Sequence, residues 1–116
     1  RSVSIHVDAI PLTVTLDFGG PMGLLVTELV TDCLEHAVRE GNGKIDLTLR
    51  RNEANAVVLT VSDNRLAAYL PVHVDANKSA QRKRSVSGLV RQLDCVMRAR
   101  FDNGSHVEIV FPTQEA

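Results

Sequence analysis

Apolar residues recur at positions 22, 25, 26, 29, 30, 33, 34, 37 and 38. That i, i+3, i+4, i+7 spacing predicts an amphipathic helix over 22–40 with one broad buried face. Gly19, Gly20 and Pro21 read as its opening, and Gly41, Asn42 and Gly43 as its close. Elsewhere the period is two. Residues 2–7 set Val3, Ile5 and Val7 against Ser2, Ser4 and His6, the pattern of a half-buried strand, and residues 12–16 alternate again as a second strand. Residues 44–51 turn Ile45, Leu47 and Leu49 inward; residues 56–62 are apolar enough for a central strand, and the polar turn 52–55 joins the two as a hairpin. Val86, Leu89, Val90 and Leu93 predict a second helix over 79–93 with Ser79 as its N-cap. Residues 96–101 and 106–111 flank Asn103-Gly104 and form a closing hairpin. Residues 66–78 carry no period and read as a loop. The pattern predicts an α+β fold: a two-layer α/β sandwich with a mostly antiparallel mixed sheet and helices packed on one face.

Composition narrows the function classes. The 116 residues suit one domain over 1–116 with a modest core. Net charge is −1, aromatic content is 3% and there is no Trp, so neither a global field nor a stacking platform favours nucleic acid. No run of about 18 apolar residues exists, and no direct membrane contact is expected. Cys33 and Cys95 sit in apolar contexts and read as buried free thiols, which suits a reducing, cytoplasmic compartment. The first residue is Arg, so the chain is expected to be a fragment of a longer protein.

The chemistry concentrates along one edge of the first helix. Glu28, Asp32 and His36 are four residues apart and form one stripe. Like charges at i, i+4 destabilise an isolated helix by about 0.2–0.5 kcal/mol. Such a stripe beside a core suggests a site, provided that a cation or donor sits between the acids. Lys78, Arg82, Lys83 and Arg84 cluster where the second helix begins, and the helix dipole disfavours cations there unless an anion or an acidic partner meets them. His6 falls on a polar strand face and His73 in the loop.

Residues 28–37, ELVTDCLEHA, resemble the helix motif E-L-V-x-N-A-x-x-H-A of the catalytic, ATP-binding domain of sensor histidine kinases, the GHKL superfamily with the Bergerat-type fold. The Pro21-Met22-Gly23-Leu24 lead-in and the Asp102-Asn103-Gly104 hairpin running to Phe111-Pro112 are similar to the HWE or second-type branch. The resemblance implies a two-component role: ATP with magnesium, and transfer of the γ-phosphoryl group to a histidine on a separate helical domain of the same protein. It implies a response regulator as further partner, and dimerisation only through regions outside this chain. Glu28 matches the Glu that assists the attack. Asp32 stands at the magnesium-holding Asn, His36 at the motif His, and Asp63 at the adenine-binding Asp. Residues 66–78 match the mobile lid.

The departures from the family pattern are specific. Asp32 replaces Asn; it can still ligate magnesium but adds negative charge near triphosphate. Arg65 replaces the glycine of D-x-G, and whether it fills the adenine slot or swings clear stays open in the sequence. Ala80-Gln81-Arg82-Lys83 stand where G-L-G-L is expected, so the backbone cradle is lost, while Arg82 and Lys83 offer side-chain charge to a phosphate. Two readings follow: a histidine kinase domain with weakened nucleotide binding, or a degenerate kinase-like domain of a phosphotransfer or scaffold protein that docks a response regulator without ATP.

Overall fold

The computed structural model describes residues 2–66 and 76–113. In chain order the elements are β1 (Val3–Ala9), α1 (Leu16–Glu40), β2 (Gly43–Arg51), β3 (Val57–Asp63), α2 (Ala76–Leu93), β4 (Val96–Phe101) and β5 (Ser105–Val110). The strands form one sheet in the order β1-β2-β3-β5-β4. β1 runs parallel to β2, with Ile5 opposite Ile45; the other pairings are antiparallel. The expected α+β sandwich with a mixed, mostly antiparallel sheet is therefore present.

The strand expected over 12–16 is not. After the Ile10 amide donates to the Leu49 carbonyl, Pro11 supplies no N–H, and the chain leaves the sheet. Leu12 and Val14 still pack against the core, so the alternation was real without a strand partner. The first helix also starts six residues earlier than expected. Thr15 caps it, its hydroxyl accepting from the Phe18 amide at 3.3 Å, and the helix runs through Gly19, Gly20 and Pro21. Phe18 anchors this added start edge-to-face on Phe111, ring centroids 5.4 Å apart. The expected close holds: Gly41 takes a left-handed φ of 86°, and its amide donates to the carbonyls of Ala37 and Val38.

α2 begins at Ala76, so Ser79 lies inside it and is not its N-cap, and the last three residues of the expected lid are helical. Residues 67–75 of that segment, with His73, lie outside the described residues. The core sits between the sheet and the two helices. Leu25 and Cys33 of α1 and Val86 and Leu93 of α2 meet Ile45, Leu59, Val61 and Ile109 of the sheet. Val38, expected on the buried face of α1, is exposed, and Val3, Ile5 and Val7 on the edge strand are exposed rather than half-buried. Among the described residues no helix is long and apolar enough to cross a membrane.

Candidate functional site

Asp63 ends β3 at the centre of the sheet, directly beneath α1, and is 8% exposed. Its position is fixed by the β4–β5 turn. Gly104 has φ +133°, and a Cβ there would lie 2.0 Å from the Asp63 carbonyl oxygen, so only glycine lets the turn close on β3. The next residue, Ser105, donates its amide to Asp63 Oδ1 at 3.1 Å.

Arg65 folds back onto Asp63. Its amide and Nε donate to Oδ1 at 3.1 and 2.9 Å, Nε also reaches Oδ2 at 2.8 Å, and Nη2 lies 2.6 Å from Oδ2. The same Nη2 donates to Asp32 Oδ2 on α1 at 2.9 Å. The guanidinium is thus sandwiched between the strand end and the helix stripe, and Arg65 is only 7% exposed. Burial pulls the Asp63 carboxyl upward, but the Arg65 guanidinium and amide and the Ser105 amide outweigh it and hold it below the usual carboxylate range. Burial works against the charge on Arg65, and Asp63 and Asp32 more than offset it. Cys33, next to this pair, has its thiol pushed up to about 12, first by burial and then by Asp63.

The outer half of the stripe is met by α2. Arg82 grips Glu35 through both terminal nitrogens at 2.8 and 2.9 Å. Its Nε lies 3.3 Å from Glu28 Oε2, and Nη1 lies 3.6 Å from Asp32 Oδ1. The hydrogen bonds from Arg82 hold the Glu35 carboxyl below its ordinary range against a smaller opposing effect of burial. His36 is buried one turn beyond Asp32, its Nε2 4.0 Å from Asp32 Oδ1, and its Nδ1 has no hydrogen-bond partner among the described residues. Burial, then Arg65, lowers its pKa, so the ring is neutral at pH 7.

Six of the seven candidate residues therefore share one alternating chain of charge: Asp63, Arg65, Asp32 with His36 beside it, then Arg82 with Glu28. Lys83, the seventh, is exposed and one residue round the helix from Arg82. The stripe has its cations, and both are supplied by the chain itself. Two contributors lay outside the sequence reading. Glu35 shares a helix face with Glu28 at i, i+7, a spacing that could have revealed it. Glu40 accepts from the Leu66 amide through both carboxylate oxygens, at 3.3 and 3.1 Å, and no sequence signal marked it.

Adenine and magnesium do not fit this arrangement. Both Asp63 oxygens are taken by Arg65 and Ser105. The crevice beside Asp63, lined by Cys33, Ala37, Gly43 and Arg65 among others, has no room for a water-sized body. The Asp32 oxygens face two guanidinium groups where a metal ion would meet the same charge. Among the described residues no group of three or more His, Cys, Asp or Glu is arranged to hold a metal ion.

The fold is nonetheless a known one. The histidine kinase domain of the Erythrobacter litoralis EL346 blue-light activated histidine kinase superposes with a TM-score of 0.79 at 26% identity over 95% of this chain. A second structure of that blue-light activated kinase gives 0.76 at 25% identity, again over 95% of this chain. The chain has the fold of the histidine kinase catalytic domain. This histidine-kinase-type domain spans 54% and 37% of the lengths of those two structures. ShkA, solved in complex with AMPPNP, shares the fold at a TM-score of 0.73 with 14% identity, over 95% of this chain and 25% of its own. No family model matches the chain, and no curated protein matches it.

Proposed function

We propose that this is the kinase-type domain of a two-component signalling protein, over residues 1–116, in which the nucleotide site is occupied by the domain's own Arg65. The domain then acts by docking a protein partner, a response regulator, rather than by supplying a phosphoryl group from ATP. The observation that carries this reading is the Arg65 guanidinium, buried and bound at once to Asp63 and Asp32, the two positions that the family resemblance gives to adenine and magnesium. The second motif supports the same reading: Ala80-Gln81-Arg82-Lys83 stand where the resemblance expects G-L-G-L, and Arg82 is engaged with Glu35 of α1. The Pro21-Met22-Gly23-Leu24 lead-in supports placement in the HWE branch, and the attached phosphoacceptor helices of such proteins are the expected neighbour of this domain.

Thermal unfolding with ATP and magnesium tests the reading. A ligand that binds only the folded state at 100 times its Kd stabilises by about 2.7 kcal/mol. We expect no change in Tm at millimolar nucleotide. A rise of several degrees would overturn the proposal in favour of a domain that binds nucleotide.

A further inference from the structure

α2 carries five cations, Lys78, Arg82, Lys83, Arg84 and Arg91, and no carboxylate. Helix geometry sorts them. Arg82 projects with Val86, Leu89, Val90 and Leu93 toward α1 and the core, where it meets Glu28 and Glu35. Lys78 also acts on Glu35, helping to hold its carboxyl down. Lys83, Arg84 and Arg91 project the other way and are exposed. The first turn of α2 has no acid to favour its dipole, and among the described residues no carboxylate is placed against Lys83, Arg84 or Arg91.

Between these cations lies Gly88. With Ser87 it floors an open trough of about 330 Å³ walled by Lys83, Arg84 and Arg91. A Cβ at Gly88 would touch nothing within 4 Å, and the position is mid-helix, where glycine is less favourable than alanine. Neither a positive φ nor a close neighbour among the described residues requires glycine there, as is also true of Gly20 and Gly23 in α1.

We infer that this outer face of α2 docks an acidic helix of a partner protein. Its carboxylates would be about 12 Å apart, the span from Lys83 to Arg91, with a side chain between them seated over Gly88. The inference rests on the docking reading above and names the surface and the chemistry of its partner. Charge decides among polyanions. The chain as a whole is at −1, and three cations over one short stripe neutralise too few phosphates to hold a duplex firmly. Among the described residues the face offers no aromatic or leucine wedge to enter a bilayer.

The test uses a labelled, alanine-rich helical peptide with glutamates at i, i+1, i+7 and i+8, its glutamine counterpart, a duplex DNA, and phosphatidylserine vesicles. Fluorescence anisotropy should show the glutamate peptide binding at least tenfold more tightly than the glutamine one, with affinity falling as salt rises. Lys83→Glu/Arg91→Glu should weaken binding at least tenfold, Lys83→Gln/Arg91→Gln should do so in part, and Gly88→Gln should weaken it while raising helix content. Tighter binding to duplex or vesicles than to the peptide would overturn the inference. So would an affinity indifferent to both double variants. A Tm rise with ATP alongside intact peptide binding would sink the closed-site reading and leave this surface standing.

Discussion

Arg65→Met is the most informative single change. It keeps most of the buried stem and removes the charge from a group 7% exposed, leaving Asp63, 8% exposed, without its ion partner. Removing one member of a buried pair costs about 3–5 kcal/mol. The lower end applies, because the Ser105 amide and the amide of residue 65 still donate to Asp63 Oδ1. The Asp32 contact adds only about 0.5 kcal/mol, since that side chain is 39% exposed and solvent screens it. A loss of about 3 kcal/mol, set against an unfolding entropy of about 2.1 cal/mol/K per residue, lowers Tm by about 12 °C for a chain of this length. Asp63→Asn in the same chain removes the stranded charge. The double variant should therefore recover more than half of the loss in urea unfolding, an interaction visible in a double-mutant cycle. Additive losses within about 0.5 kcal/mol would refute the claim that Arg65 and Asp63 form one unit.

Three further outcomes follow from the same geometry. Gly104→Ala drives a methyl group into the Asp63 carbonyl at a left-handed φ, and should cost more than about 2 kcal/mol; a loss below about 0.5 kcal/mol in urea unfolding would show that the turn does not fix β3. His36 and Asp63 both have folded pKa values below their ordinary 6.5 and 3.8, so the unfolded chain binds their protons more readily. Their contributions are full above those values and lost as pH falls: a first decline in urea midpoint below about pH 6.5 should vanish in His36→Gln, and a second below about pH 4 should shrink in Asp63→Asn. Arg82→Ala should cost only about 1 kcal/mol, because Asp32 and Glu35 are both more than a third exposed. Its amide exchange should quicken in the polar first half of α2, ahead of Val86, while that of β3 stays unchanged, and about 0.5 M salt should mimic it; uniform acceleration would contradict the clasp.

Much of this was legible in the letters. Period two marked the β2–β3 and β4–β5 hairpins because both have short polar or Asn-Gly turns; β2, β3 and β5 also bury apolar residues, whereas every residue of β4 is exposed. The acids of α1 were visible as a stripe, and the need for a cation between them followed from repulsion alone. Three things were not legible. Alternation over 12–16 reports which side chains face the core, not whether a neighbouring strand exists to bond the backbone. A single cap at Thr15, with Phe18 packed on Phe111, outweighed a Gly-Gly-Pro run that locally signals a start. The Arg65 guanidinium is held by Asp63, two residues away, and also by Asp32, 33 residues away, and no local rule supplies the second partner.

The pairing of Arg65 with two carboxylates bears on what opening the site requires. Arg65→Gly alone leaves the buried Asp63 without its counter-ion, while Asp32 keeps its contact with Arg82. On the proposed reading of a closed nucleotide site, opening it takes changes on the sheet and on the helix together, because removing Arg65 by itself weakens the fold. The guanidinium thus works as a latch that belongs to the strand end and the helix at once, and neither side releases it alone.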